Sequence, residues 1–134
     1  MTTATKKFLC LCYYNEADFK AWTPEQHAAI GDLCAPHDAA LRATGQCLMN
    51  TSLSEPDTAR VIRASTGGAS VTKGPYAATP EPVGAMFIVE AADIDAAVRI
   101  ASLHPGANLP ESFGRGGIEV REFAYFEARG AKAA

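Results

Sequence analysis

Three side-chain types in this chain could carry acid–base chemistry: a few imidazoles, some isolated carboxylates and some phenols. His37 stands out first. It follows Pro36 inside a helical pattern, and offsets of three, four, seven and eleven place it on a stripe with Ile30, Leu33, Cys34 and Leu41. An imidazole on an inward face has two readings. It is either a core or interface histidine bonded to a backbone carbonyl, or a general acid or base, because its charge changes near neutral pH. His104 ends a second helical pattern, at Leu103-His104-Pro105, where the negative end of a helix favours a cation. Glu81 sits between Pro80 and Pro82, in a loop held stiff on both sides. It is a candidate substrate-binding acid or a solvated loop residue. Tyr76 follows Gly74-Pro75 and offers a ring and a hydroxyl to a pocket, or packs on a hairpin. His27 lies near a helix start and reads as surface.

Metal and redox chemistry find less support. Cys10-Leu11-Cys12 has the look of a ligand pair, but zinc needs three or four ligands and no second Cys/His pair stands at ligand spacing. Cys34 and Cys47 complete a set of four cysteines, too sparse for a disulfide scaffold, and all four read as reduced, mostly buried thiols. No cofactor motif is present. Gly114-Arg115-Gly116-Gly117 has no following Gly-Lys-Ser/Thr and no helix behind it, so it is not a phosphate loop. Any catalysis would therefore be acid–base, with no cofactor and no metal.

The elements that must position these groups alternate in type. Phe8 to Tyr14 is an apolar run of strand length, with Phe8, Cys10 and Cys12 on one face and Leu9, Leu11 and Tyr13 on the other. Asn15 to Trp22 reads as a polar connection anchored by Phe19 and Trp22. Thr23-Pro24-Glu25-Gln26 is a capping box with proline at the first helical position, and the helix extends to Thr44 before Gly45. Pro36 should kink it. Strands follow at Cys47 to Leu53 and Ala59 to Ala64. Gly67-Gly68 turns into Ala69 to Thr72. Ala85 to Glu90 is a buried strand. Asp93 caps a second helix with a core stripe of Ile94, Ala97, Val98 and Ala101, stopped by Pro105-Gly106. Ile118 to Phe123 alternates as a last strand, extended by Ala124-Tyr125-Phe126.

Strand, helix, strands, strand, helix, strand is the split βαβ order. It predicts an α+β fold of ferredoxin-like type: an antiparallel sheet with two helices on one face. The other face carries Leu9, Leu11 and Tyr13 and needs a cover. A second subunit packed sheet on sheet supplies one, so a homodimer is expected.

At 134 residues the chain is read as one domain, with a core over about 7–127 and a frayed tail at 128–134. It is 48% apolar and 20% charged, an ordinary globular balance. The net charge of −3 argues against nucleic acid or anionic membrane as the main partner. No apolar run reaches spanning length, and Met1 to Lys7 followed by a short strand does not read as a signal peptide. A cytoplasmic address is expected.

At Lys73-Gly74-Pro75-Tyr76 the chain resembles the YCII-related family, in the branch of DGPF-domain proteins. Gly74, Pro75, Tyr76, Thr79, Glu81 and Gly84 fit the branch pattern, as do Asp93-Ile94-Asp95-Ala96-Ala97 and Ile118-Glu119-Val120-Arg121. The likeness runs from Phe8 to about Arg121. Lys73 stands where the branch has Asp, and Ala78 and Pro80 replace commoner polar residues. The resemblance implies a dimeric α/β-barrel. It also implies a catalytic pair formed by a first-helix histidine, matched by His37, and an acidic residue after the second helix, where this chain has His104. A carboxylate to orient the imidazole is thus missing there, and Glu81 or Asp38 is the available substitute. Two functions fit. One is a cofactorless isomerase or lyase acting on a small cyclic or aromatic molecule. The other is a non-catalytic ligand-binding or regulatory dimer, with a link to extracytoplasmic-function sigma factors suggested by the family.

Overall fold

The computed structural model describes residues 5–130. From residue 131 on, the expected frayed tail lies outside the described residues. Strand β1 (Lys6–Tyr14) is followed by helices α1 (Glu16–Lys20) and α2 (Pro24–Ala43), then by strands β2 (Cys47–Ser52), β3 (Arg60–Ser65), β4 (Gly68–Lys73) and β5 (Val83–Ala91). Helix α3 (Ile94–Ala101) and strand β6 (Gly116–Glu122) complete the order. Four strands form one antiparallel sheet in the order β2-β5-β1-β6. With its helices, this is the ferredoxin-like α+β arrangement, with the sheet open rather than closed into a barrel. Among the described residues no helix is long and apolar enough to cross a membrane.

Register explains the two faces. Phe8 pairs with Val89, Cys10 with Phe87 and Cys12 with Ala85, and these residues meet Leu41, Ala97, Ile100 and Ala101 in the core. Phe8, Cys10, Leu41, Phe87 and Val89 are the largest fully enclosed side chains. The alternate residues point the other way: Leu9 pairs with Ile88 and Leu11 with Met86, and Met49 and Thr51 on β2 continue that face.

The helix starts behave as their sequences require. Thr23 Oγ1 accepts the Gln26 N–H at 3.2 Å, while Gln26 Oε1 accepts the Thr23 N–H at 2.9 Å. Asp93 Oδ1 accepts the Ala96 N–H at 2.8 Å. Helix α2 is continuous through Pro36 and ends before Gly45, whose φ of +67° suits a residue without Cβ.

Four expectations need correction. The connection from Asn15 to Trp22 contains α1, capped by Asn15 Oδ1 accepting from the Asp18 N–H; five residues are too few to show a period. Strands β3 and β4 form a hairpin of their own outside the main sheet. On α3 the inward residues are Ala97, Ile100 and Ala101, whereas Ile94 and Val98 are each 45% exposed. Strand β6 begins at Gly116 and stops at Glu122; the Phe123 N–H still reaches the Lys7 carbonyl, and Tyr125 lies exposed beyond it.

The α2 stripe also behaves differently from a packed core. Only Leu41 is buried, and Ile30, Leu33, Cys34 and His37 are half-buried. Helix α2 packs down at its C-terminal end and stands off the sheet nearer its start. The space left there is a cavity lined by the sheet and by both α2 and α3.

Candidate functional site

That cavity has a volume of about 940 Å³, within the range of small-molecule sites. Its floor is Cys12 and Ala85 from the sheet, and β6 adds Ile118 and Val120. Ile30 and Cys34 face it from α2, and Ile94 and Val98 from α3. Ile94 and Val98, each partly exposed, both line this space.

The mouth is aromatic. Tyr14 meets Phe19 edge to face with ring centroids 5.7 Å apart; Phe19 lies 4.9 Å from Trp22, and Trp22 lies 5.2 Å from Phe113. Polar bonds lock this cluster to the loop before β6. Trp22 Nε1 donates to the Phe113 carbonyl at 2.8 Å and Gln26 Nε2 to the Ser112 carbonyl at 2.8 Å. The Arg115 N–H donates to Asp18 Oδ2 at 3.2 Å. His27 is exposed, as expected, and its ring lies edge-on against Trp22.

Gly84 shapes the wall beside Tyr14. A Cβ at position 84 would lie 2.6 Å from Tyr14 Cδ1 and 2.7 Å from Cε1, closer than atoms approach. Only glycine lets the Tyr14 ring lie across β5. Burial, then Glu16 and Glu55, push the Tyr14 phenol above its ordinary range, so it remains a neutral hydroxyl. Glu55 is the one carboxylate side chain among the cavity-lining residues.

His104 closes the deep end. It is 9% exposed, and its ring stacks on Phe87 with centroids 4.4 Å apart and planes 5° from parallel. Nδ1 accepts the Gly106 N–H at 2.9 Å, which opens the short turn Pro105–Ala107. A ring nitrogen that accepts a backbone N–H carries no proton, so the proton of the neutral imidazole resides on Nε2. Burial pushes the His104 pKa below its ordinary value of 6.5, with Asp38 acting weakly in the opposite sense. Protonation would also turn the Nδ1 acceptor into a donor facing the Gly106 N–H. Two effects therefore keep this ring neutral.

Cys12 Sγ lies 3.9 Å from the same Nδ1. A thiolate–imidazolium pair would need the cysteine pKa to fall and the histidine pKa to rise. The opposite occurs: burial raises Cys12 to about 11 and Cys10 to about 12. Cys12 is an inert thiol at neutral pH, not a nucleophile. All four cysteines are free. No group of three or more His, Cys, Asp or Glu side chains among the described residues is arranged to hold a metal ion.

The four residues singled out from sequence occupy three places. His104 lines the cavity. His37 is half-buried on α2, one turn beyond Cys34, and does not line it. Tyr76 is 71% exposed, with the Arg63 guanidinium 4.4 Å from its ring centroid and donating to its hydroxyl at 3.3 Å. Glu81 is exposed, and its backbone N–H donates to Thr79 Oγ1 at 3.2 Å. The Thr79–Gly84 segment acts on the cavity through its main chain. The Pro80 carbonyl accepts from the Glu16 N–H, Pro82 from Tyr14 and Gly84 from Leu53. Tyr14, Trp22 and Glu55 were not foreseen as site residues. The signal for Tyr14 was the glycine at position 84, which stands unpaired at the bulge between the Cys12–Ala85 and Tyr13–Val83 pairs near the end of β1.

No curated protein matches the chain. A family model describing the YCII-related domain matches residues 6–124, which is most of the chain and takes in the sheet, both long helices and the cavity. The chain thus belongs to the YCII-related family.

Proposed function

We propose that this protein is a cofactorless acid–base enzyme that moves a proton on a small ring-bearing carbonyl compound, an isomerase or lyase by reaction type. The observation that carries this reading is the neutral His104 at the deep end of an apolar cavity, with Nδ1 occupied and Nε2–H left to donate. A buried donor aimed at a carbonyl oxygen stabilises the enolate that forms when a neighbouring C–H proton leaves. Glu55 takes that proton as base and returns it to another carbon, so isomerisation balances with no co-reactant. Expulsion of a leaving group from the same enolate gives the lyase variant. Tyr76 and Glu81 lie outside the cavity, and the reading assigns them no contact with substrate. His37 enters only as a control.

The test is proton exchange in deuterated water, followed by NMR on small cyclic ketones such as cyclohexenones. The wild-type protein should exchange the α-proton above the buffer rate. His104→Gln should lower that rate by about 10²-fold, the scale of one lost oxyanion donor. His37→Gln should leave it unchanged. Equal rates in wild type and His104→Gln would defeat the catalytic reading. The remaining reading would then be a non-catalytic ligand-binding or regulatory dimer, including the sigma-factor-linked role, which needs the cavity but no tuned imidazole.

We also propose that two chains pair through the open sheet face. Support comes from the apolar row Leu9, Leu11, Met86 and Met49 opposite the helices, of which Met49 is exposed and the others are half-buried in the single chain. Sedimentation should give the mass of two chains, and Leu11→Lys should give one. A monomeric wild type at micromolar concentration would contradict the pairing.

A further inference from the structure

The cavity carries a charge pattern that the proposed reaction does not by itself require, and it restricts what enters. Resting on the reading of the cavity as a substrate site, we infer that it takes a neutral planar ring compound and rejects carboxylates.

Glu55 is the only acid lining the space, and it has no ion-pair partner among the described residues. Its charge reaches Tyr14, whose phenol it helps to keep protonated, so it acts on the mouth of the cavity. Glu16 adds to the same field, and Lys20 pairs with Glu16 at 3.6 Å. At the deep end His104 is neutral and offers one N–H, not a cation. Arg115 is the only cationic side chain lining the cavity, but its guanidinium is ion-paired with Glu111 and is 78% exposed. A committed, solvated guanidinium attracts a second carboxylate weakly. The remaining walls are apolar and aromatic. A carboxylate there loses its hydration without gaining a charged partner, so its binding is disfavoured.

Shape supplies the other half. The Tyr14 ring, laid flat by Gly84, together with Phe19, Trp22 and Phe113, offers aromatic edges and faces to a flat guest. Tyr14 adds a neutral hydroxyl. A planar ring with a carbonyl oxygen and no negative charge meets every group it needs. The same ring with a carboxylate meets Glu55.

Trp22 is the only tryptophan of the chain, so its indole N–H gives a single resolved NMR signal from the cavity wall. The experiment titrates acetophenone and 4-acetylbenzoate separately at pH 7.5 and follows that signal. These probes share ring and carbonyl and differ by one charge. Acetophenone should shift the signal with a dissociation constant at least tenfold below that of 4-acetylbenzoate. Glu55→Gln, an exposed substitution, should narrow the ratio to threefold or less. Equal or tighter binding of 4-acetylbenzoate would overturn the inference, and so would a ratio unchanged by Glu55→Gln. Either result leaves the His104 chemistry standing. No shift with either probe would overturn both the selection and the cavity as the site. Conversely, loss of catalysis as a reading, with the tenfold ratio intact, leaves the selection in place.

Discussion

Replacing His104 by Ala is expected to destabilise the fold by about 2–4 kcal/mol, the range for emptying a buried aromatic-sized site and orphaning a backbone donor. The ring is stacked on Phe87, and its Nδ1 satisfies the Gly106 N–H. Both are lost in Ala. His104→Asn separates these terms, because an amide oxygen can still accept from Gly106 while the ring stack is gone. The pH dependence has a definite sign. The folded-state pKa of His104 is lowered from 6.5, so the unfolded chain binds the proton more readily. Stability from the neutral ring is complete above pH 6.5 and is lost as pH falls from there toward the lowered folded value. The slope from this residue is at most about 1.4 kcal/mol per pH unit. Urea unfolding at pH 7.5 and 5.5 checks it: the wild type should lose stability between the two, and His104→Asn should lose measurably less. An identical loss in both proteins would mean that His104 is not the buried neutral ring described.

The second large effect belongs to Gly84. An alanine methyl there would sit 2.6 Å from the Tyr14 ring, and the ring carbons nearest it are not at the end of a flexible chain. The ring must swing out of its seat, or β5 must move. Gly84→Ala should therefore cost about 1–3 kcal/mol, as other overpacking changes do. The cause is testable by a double-mutant cycle. In a Tyr14→Ala background the same Gly84→Ala change should cost far less, because its neighbour is gone. Equal costs in both backgrounds would place the strain elsewhere. Ring displacement should also weaken acetophenone binding, since Tyr14 forms part of the mouth.

These two residues show what the sequence made legible and what it did not. Caps and strand faces are local, and Thr23, Asp93 and the alternation of Phe8, Cys10 and Cys12 announce them. The family resemblance pointed to the Thr79–Gly84 segment, yet its contribution is made by the carbonyls of Pro80, Pro82 and Gly84, while the Glu81 side chain stays in solvent. Periodicity placed His37 and Cys34 on one inward face of α2. It does not tell how far a helix stands from its sheet, and that distance decides that Cys34 lines the cavity and His37 does not. Ile94 and Val98 were read as core for the same reason. The cavity arises from the separation of elements distant in sequence, so Tyr14, Trp22 and Glu55 carried no local mark of their role. For His104 only its position was legible in the sequence. Its neutrality depends on Phe87 above it and Gly106 beside it.

The measurement that bears most directly on the central claim is the tautomer of His104, read from a long-range ¹⁵N–¹H correlation spectrum at pH 7. The expected result is a neutral ring with an unprotonated Nδ1 and the proton on Nε2, and an Nε2 resonance that shifts when acetophenone is added. A proton on Nδ1, or an imidazolium at pH 7, would contradict it, because the ring would then lack either the Gly106 bond or the neutral donor on which the proposed chemistry rests.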